Sequence, residues 1–157
     1  SEEGMATLQW DATSIPDELY LFDELLQLPV NMREIQQYTF DTRRSNRFKI
    51  FYGKDAKESM ASNRVQLGAA FPNPSNAAAT IPFSLPKEQP AYNVQVEVFD
   101  LMGRKVNTLL SAVLAPGFYQ TVWTPEEGQT AGIYTYRLSV SAGGTGEVLS
   151  GKVMLKK

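Results

Sequence analysis

The sequence has no cysteine and no histidine among its 157 residues. Thiolate and imidazole groups carry the chemistry of Cys/His zinc sites, cysteine nucleophiles and Ser-His-Asp relays, so these kinds of site are excluded. Neither sign of charge is in large excess, since the chain has 15 basic and 17 acidic residues and a net charge of −2. A chain without a broad cationic surface is poorly suited to neutralise phosphates, and nucleic acid is therefore not expected as a partner.

Long hydrophobic runs are missing as well. No segment approaches the roughly eighteen apolar residues of a membrane helix, so we expect no transmembrane segment. The start, Ser1-Glu-Glu-Gly-Met5, lacks the basic-then-apolar build of a signal peptide. We therefore interpret the chain as the C-terminal piece of a longer exported precursor. The missing cysteine does not fix the compartment, since many secreted bacterial proteins have no disulfides.

What is present is a series of short alternating segments, separated by Gly, Pro, Asn and Asp about every ten to fifteen residues. This pattern predicts an all-β protein. Residues 55–64 are polar and contain no β-branched residue, which predicts a linker or one helical turn. The linker would divide the chain into residues 1–54 and residues 65–157.

The upstream part is predicted to be a small antiparallel β-module. Its strands are expected near Thr7–Trp10, Leu19–Asp23, Val30–Glu34, Tyr38–Asp41 and Arg47–Tyr52. In the last of these, Phe48, Ile50 and Tyr52 are predicted to face the core. Short strands bury little surface, so the module is either the closing half of an immunoglobulin-like sandwich that begins upstream or a module that leans on the second one.

The downstream part is predicted to be a seven-stranded immunoglobulin-like antiparallel β-sandwich. The strands are expected at Gln66–Ala69, Thr80–Leu85, Tyr92–Val98, Lys105–Leu109, Phe118–Trp123, Tyr134–Val140 and Leu149–Leu155. Gly103 suits the tight reversal after Val98. Pro82 predicts that its strand lies at a sheet edge.

Four motifs follow one another in this part: Phe71-Pro-Asn-Pro74, Val98-Phe-Asp-Leu-Met-Gly-Arg104, Gly132-Ile-Tyr-Thr-Tyr-Arg137 and Lys152-Val-Met-Leu-Lys-Lys157. Their order and spacing resemble the type A C-terminal sorting domain of the type IX (Por) secretion system, over about residues 65–157. Phe99–Val106 is close to that family's Tyr-Asp-Leu-Leu-Gly-Arg-Glu-Val. Ala77-Ala78 departs from it, because many members carry Pro-Ser or Pro-Thr there.

The resemblance implies a non-catalytic domain that directs an exported cargo across the bacterial outer membrane. It further implies recognition by the outer-membrane translocon and removal or exchange by a sortase at the cell surface. The protein is then expected to be secreted or displayed on the cell, with no catalytic residue, cofactor or metal.

The residues predicted to be recognised by the translocon are Lys152, Val153, Leu155, Lys156 and Lys157, with Gly132 and Tyr134 as a second signal. A basic edge strand at the end of the chain would let a partner add a strand by main-chain pairing. The motif residues with a structural role are expected to be Pro72, Asn73, Pro74, Asp100 and Gly103. The prolines would hold the chain extended without offering hydrogen-bond donors.

The alternative function is an accessory immunoglobulin-like module of a secreted enzyme or adhesin, serving as a spacer or binding carbohydrate. Carbohydrate binding needs an exposed aromatic platform of Trp10, Tyr119 and Trp123, whereas the structural interpretation packs Trp123 between the sheets. Around Phe99–Val106 and Gly132–Arg137 the chain also resembles the immunoglobulin-like module of flagellar hook-capping proteins. The carboxylates that we examined for catalysis are predicted to be solvated turn residues: Asp11, Asp17, Asp23, Glu126 and Glu127.

Overall fold

The structure, a computed structural model, describes residues 4–60 and 63–156. The chain divides into two compact units, Ser1–Met60 and Ala61–Lys157. Nearly all regular structure is antiparallel β-sheet, which confirms the predicted fold class. In the described ranges no helix is long and apolar enough to cross a membrane. The finer division into residues 1–54, 55–64 and 65–157 stays a prediction.

The first unit contains two small sheets. Its elements are β1 (Met5–Gln9), β2 (Leu19–Asp23), β3 (Leu28–Asn31), β4 (Gln37–Asp41), β5 (Phe48–Tyr52) and the short helix α1 (Ala56–Ser59). Strand β1 pairs with β4, and β2 lies between β3 and β5, with every pair antiparallel. The apolar side chains of β2 form the centre of this unit.

The predicted inward face of β5 is wrong for two of its three residues. Ile50 and Tyr52 are 64% and 57% exposed. Phe51 is half-buried instead and meets the Phe22 ring edge to face at 6.0 Å between centroids. The register places Phe51 opposite Tyr20, on the face of β2 that also carries Phe22. Because β5 carries aromatic residues on both faces, alternation alone could not identify the covered one.

The second unit is a sandwich of seven strands within the described residues, as predicted. They are β6 (Gln66–Leu67), β7 (Ala79–Leu85), β8 (Tyr92–Phe99), β9 (Lys105–Leu114), β10 (Gly117–Trp123), β11 (Gly132–Ala142) and β12 (Thr145–Leu155). One sheet has the order β10-β7-β6 and the other the order β12-β11-β8-β9. The inward rows of both sheets form the core, in which Trp123 and Phe83 are fully buried.

The position of Pro82 corrects the expectation of an edge strand. Strand β7 is the central strand of its sheet, and Pro82 is paired with Gln120 of β10. On the β6 side, the Gly68 amide donates to the Pro82 carbonyl at 2.8 Å. Pro82 has no N–H that could donate to the Gly68 carbonyl in turn. The Tyr136 hydroxyl donates to the Gly68 carbonyl at 3.0 Å instead. A buried tyrosine thus satisfies the carbonyl that the proline leaves unpaired.

Candidate functional site

Strand β12 separates the predicted recognition residues into two groups. Val153 and Leu155 face the core and are 0% and 2% exposed, whereas Lys152 and Lys156 are exposed on the opposite face. This is the alternation that the sequence predicts for a strand with one covered face. The fifth residue, Lys157, lies outside the described residues. Of the predicted recognition residues that the structure describes in this segment, only Lys152 and Lys156 are therefore accessible to a partner in the folded domain.

The second predicted signal lies directly beside the first. Gly132 is paired with Leu155 and Tyr134 with Val153, because β11 begins where β12 ends. Tyr134 is buried against Trp123, with ring centroids 4.9 Å apart, and its hydroxyl donates to the Thr130 carbonyl at 2.7 Å. The structure thus brings the two signals together, but Tyr134 is a core residue.

The outer edge of β12 is not open over the predicted recognition residues. The Asn73 side-chain amide donates to the Lys152 carbonyl at 3.1 Å and accepts from the Met154 N–H at 2.9 Å. Ser75 continues the pairing: its N–H donates to the Met154 carbonyl at 2.8 Å, and its carbonyl accepts from the Lys156 N–H at 2.7 Å. The expectation that a partner adds a strand at residues 152–156 is therefore wrong for the domain as folded. We call Asn73 and Ser75 the edge clamp.

The turn between β8 and β9 is fixed by the carboxylate of Asp100. Its Oδ1 accepts from the amides of Met102 and Arg104 at 2.9 and 3.0 Å, and its Oδ2 accepts from Arg104 Nε at 2.9 Å. These hydrogen bonds, the one from the Arg104 amide foremost, lower the pKa of Asp100. Gly103 has a φ of +79°, which explains glycine at this point of the reversal.

The tip of this turn carries two exposed apolar side chains. Leu101 and Met102 are 75% and 80% exposed. Together with Ile133 they line a groove of about 390 Å³ between the turn and the start of β11. Ile133 is 37% exposed and is paired with Met154, which is 40% exposed on β12. We call these four side chains the apolar patch.

The apolar patch unites three of the four motifs of the sequence. The turn after β8, the start of β11 and the end of β12 each contribute to it. Sequence reasoning did not single out Leu101, Met102 or Met154 as site residues. Two consecutive large apolar side chains between Asp100 and Gly103 were the available signal, since turn positions are usually polar. Exposed apolar clusters rimmed by polar residues are typical of interaction sites.

The charged residues near the patch differ in how they are paired. Glu97 is buried and accepts from Arg137 Nη2 at 3.0 Å and from Lys105 Nζ at 3.1 Å. The hydrogen bond from Arg137 is the largest cause that lowers the pKa of Glu97. By contrast, no carboxylate in the described part of the chain lies within ion-pair distance of Lys152 or Lys156. Their charges are available to an acidic partner.

Trp123 is not available for the aromatic platform that the carbohydrate alternative requires. Trp123 is fully buried and its Nε1 donates to Asn107 Oδ1 at 2.9 Å. Tyr119 stacks on Phe83 with centroids 5.5 Å apart. Trp10 donates its Nε1–H to two main-chain carbonyls of its own unit. The interpretation of Trp123 as a residue packed between the sheets is confirmed.

One predicted solvated carboxylate is a buried structural residue. Asp23 is 0% exposed; its Oδ1 accepts from the amides of Leu25 and Leu26 at 3.1 Å, and its Oδ2 accepts from the hydroxyls of Tyr38 and Ser45. Burial and the adjacent carboxylate raise the pKa of Tyr38. Asp23 thus holds the turn after β2. Among the residues that the structure describes, no three acidic side chains are grouped so that they could hold a metal ion.

Comparison with known protein families identifies a match for the second unit. The family model described as "Secretion system C-terminal sorting domain" matches residues 69–148. The match includes the edge clamp, the turn after β8 and the start of β11, and it ends before Lys152. No curated protein matches the sequence.

One solved structure with a likeness to this chain is dimeric latent PorU from Porphyromonas gingivalis, at 17% sequence identity and a TM-score of 0.49. The alignment covers 96% of this chain and 18% of that one, so the chain spans less than a fifth of the length of the solved protein.

Proposed function

The chain belongs to the family of type IX secretion system C-terminal sorting domains, and we propose that its second unit is recognised by the outer-membrane translocon through the apolar patch. Membership of the family implies export to the cell surface or secretion. The signal itself is non-catalytic in this proposal. The observation that supports it best is the convergence of three motif segments on one exposed apolar surface.

The chemistry of the proposed contact follows from the exposed side chains. Leu101 and Met102 supply apolar area at the turn, and burying such side chains is favourable by roughly 25 cal/mol per Å² of area removed from water. Lys152 and Lys156 are exposed, have no carboxylate partner among the described residues, and add positive charge at the end of the neighbouring strand. Charge of one sign beside an apolar contact favours a partner with an acidic rim, and it mainly accelerates and orients the encounter.

The buried residues of the predicted site have a different role in this proposal. Val153, Leu155 and Tyr134 anchor the ends of β11 and β12 in the core, so they position the lysines and the patch without touching the partner. Removing Lys152–Lys157 as a block would also delete Val153 and Leu155 and damage the core. Point substitutions on the surface therefore test recognition more directly than truncation.

The first experiment follows export of a reporter cargo fused ahead of the chain in a strain with a type IX system. We expect the double variants Leu101→Asn/Met102→Asn and Lys152→Glu/Lys156→Glu each to lower the surface-displayed fraction about tenfold, as expected if each side chain contributes ~0.7 kcal/mol to the contact. The retained reporter should accumulate in the periplasm.

Matched controls separate recognition from folding. Val113→Asn changes a side chain that is 67% exposed outside the patch, and Lys54→Glu/Lys87→Glu reverses two exposed charges elsewhere. All variants should unfold at about the same urea concentration, since surface substitutions usually change stability by less than ~0.5 kcal/mol. Normal surface display of both patch variants would show that the translocon does not use this surface.

We also propose that a sortase at the cell surface removes or exchanges the sorting domain. The chain divides into two compact units, and the proposed cut falls between them. Mass spectrometry of the surface cargo should then find peptides from before residue 60 and none from residues 65–157. Retention of the latter peptides on a correctly displayed cargo would overturn the removal step alone and leave the export proposal standing.

A further inference from the structure

The loop between β10 and β11 forms one side of the groove beside the apolar patch. Residues 128–132 line the groove on this side, and the turn that carries Leu101 and Met102 lines it on the other. We call residues 128–132 the groove wall. Its first four residues precede β11, so they are not held by strand pairing. Side-chain hydrogen bonds therefore have a large part in fixing the wall.

Two side chains from the strands hold the groove wall. On one side the Tyr134 hydroxyl, from β11, donates to the Thr130 carbonyl at 2.7 Å. On the other side Asn107, from β9, accepts through Oδ1 from Gln129 Nε2 at 2.8 Å. The Nδ2 of Asn107 also donates to Glu126 Oε1 at 3.0 Å, just before the wall begins. The wall is thus tied to two strands of the same sheet.

Asn107 also connects the groove wall to the core. Its Oδ1 accepts from the Nε1–H of Trp123 at 2.9 Å, and Trp123 is fully buried. A buried indole N–H needs such an acceptor. The Trp123 ring lies against Tyr134, with ring centroids 4.9 Å apart. Both residues that hold the wall therefore contact the same core tryptophan.

These contacts require an amide at position 107. Two donors, Trp123 Nε1 and Gln129 Nε2, meet at Oδ1, whereas the Glu126 carboxylate on the other side can only accept. An amide supplies the acceptor and the donor on one planar group. Gln129 is oriented in turn, because its Oε1 accepts from the Glu126 N–H at 2.8 Å. An aspartate at position 107 would keep the first two contacts and oppose a carboxylate to Glu126.

We propose that Asn107 is a positioning residue for recognition of the apolar patch: it sets the position of the groove wall relative to Leu101, and thereby the fit of the translocon to the groove. Asn107 is half-buried and acts on the groove through Gln129, which lines it. The inference rests on the function proposed above, and it assigns a role to a residue outside the four motifs.

The reporter export assay tests this role by exchanging the hydrogen-bonding groups of residues 107 and 126. Asn107→Asp keeps the acceptor for Trp123 and Gln129 but places a carboxylate against that of Glu126, which should displace the wall. We expect the surface-displayed fraction to fall about fivefold, which corresponds to ~1 kcal/mol of lost contact. Glu126→Gln alone should display like the parent, since its amide oxygen can still accept from Asn107.

The combination Asn107→Asp/Glu126→Gln should restore display to within about twofold of the parent, because the amide then donates to the carboxylate with donor and acceptor exchanged. Hydrogen exchange reports the wall directly through the Gln129 amide, which donates to the Glu126 carbonyl at 3.1 Å. Exchange of this amide should be faster in Asn107→Asp and return to the parent rate in the combination. The amides of β8 should exchange as in the parent in all variants.

A second variant approaches the same link from the loop. Gln129→Ala removes the contact of the wall with Asn107 and leaves the Trp123 hydrogen bond in place, so the test does not depend on the folding of Asn107→Asp. It should lower display by a similar factor. Gln95→Ala, on the exposed face of β8, is the matched control and should display normally. Urea unfolding establishes that each variant is folded.

Loss of display in Asn107→Asp and Gln129→Ala, with rescue by the combination, supports the proposal. Normal display of both single variants, or a combination that displays no better than Asn107→Asp, overturns it. These variants leave Leu101 and Met102 unchanged, so such a result would not affect the role of the patch itself. Normal display of both patch variants, by contrast, would overturn the proposed function and this inference with it.

Discussion

Gly151 shows how a single residue of β12 supports the whole strand. It faces inward and is paired with Tyr136, whose ring lies over it. A Cβ at position 151 would lie 2.3 Å from Tyr136 Cζ, closer than any real contact. The ring can therefore reach across to Gly68 and Ala70 only because residue 151 has no side chain. The buried hydrogen bonds of the Tyr136 hydroxyl therefore depend on the missing side chain at Gly151.

Substituting Gly151→Ala should consequently destabilise the domain. Overpacking a well-filled core costs roughly 1–3 kcal/mol, and displacement of Tyr136 would also break the buried hydrogen bonds of its hydroxyl. Urea unfolding measures the change. The control is Gly146→Ala on the same strand, where the nearest atom lies at an ordinary 3.6 Å. Equal midpoints for the two variants would contradict the role given to Gly151.

At the residue scale, the sequence predicted which side of β12 faces inward but not what each residue does. Alternation placed Val153, Leu155 and Gly151 on one face, and the structure confirms that arrangement. It could not show that Tyr136 covers Gly151, because cross-strand register is absent from a single sequence. The resemblance at Gly132–Tyr134 marked a whole segment, within which the structure separates the exposed Ile133 from the buried Tyr134.

At the scale of elements, the edge clamp connects the first motif of the second unit to its last strand. Asn73 uses its side-chain amide as a substitute for a main-chain partner, and Ser75 continues with its own main chain. The clamp also covers the part of the β12 edge that lies beside the apolar patch.

Asn73→Ala should loosen the end of β12 without unfolding the domain. The substitution removes two hydrogen bonds, each worth about 1 kcal/mol net, so a loss of roughly 1–2 kcal/mol is expected. Hydrogen exchange should show faster exchange at the Met154 and Lys156 amides, with little change in β8. Asn93→Ala, on the exposed face of β8, serves as the control. Unchanged protection of Met154 would contradict the clamp.

The sequence located the strands of the second unit better than it located their ends. Strand β9 runs from Lys105 to Leu114, five residues beyond the predicted end at Leu109. Register shifts lie between Val96 and Glu97 and between Val98 and Phe99 on the partner strand. Such irregularities break the alternation of the paired strand, so a pattern of period two ends early. For the segment that contains the edge clamp, the sequence likewise predicted only an extended chain and not its pairing with β12.

For the whole molecule, the family match and the proposed contact surface overlap in part. The family model covers residues 69–148, so it includes the turn at Leu101 and the start of β11. Lys152 and Lys156 lie beyond it, and their proposed role rests on their exposure and on the absence of a carboxylate partner among the described residues. The order and spacing of the motifs were enough to indicate a sorting domain over residues 65–157. The apolar patch could not, because it forms only when the sandwich brings three distant segments to one end.

The stability of the whole molecule is expected to vary little with pH over a wide range and to fall at both extremes. Carboxylates that gain hydrogen bonds on folding, such as Glu97 and Asp100, have a lowered pKa. Their contribution is complete above the unfolded pKa near 4 and is lost as pH falls through the folded value. Burial raises the pKa of Tyr136, so its contribution is complete below about pH 10 and is lost as pH rises. The chain has no histidine to titrate between these limits.

Replacing Glu97→Gln tests the acidic side of this profile. Glu97 accepts hydrogen bonds from Arg137 and Lys105, so the neutral amide should lower the free energy of unfolding at pH 7. The decline between about pH 5 and pH 3 should become shallower, since the variant no longer binds a proton at this position. Urea unfolding across the pH range measures both effects. Glu147→Gln removes an exposed carboxylate as a control and should leave the acid slope as in the parent. A parallel downward shift of the Glu97→Gln curve, with an unchanged acid slope, would mean that other carboxylates govern the acid transition.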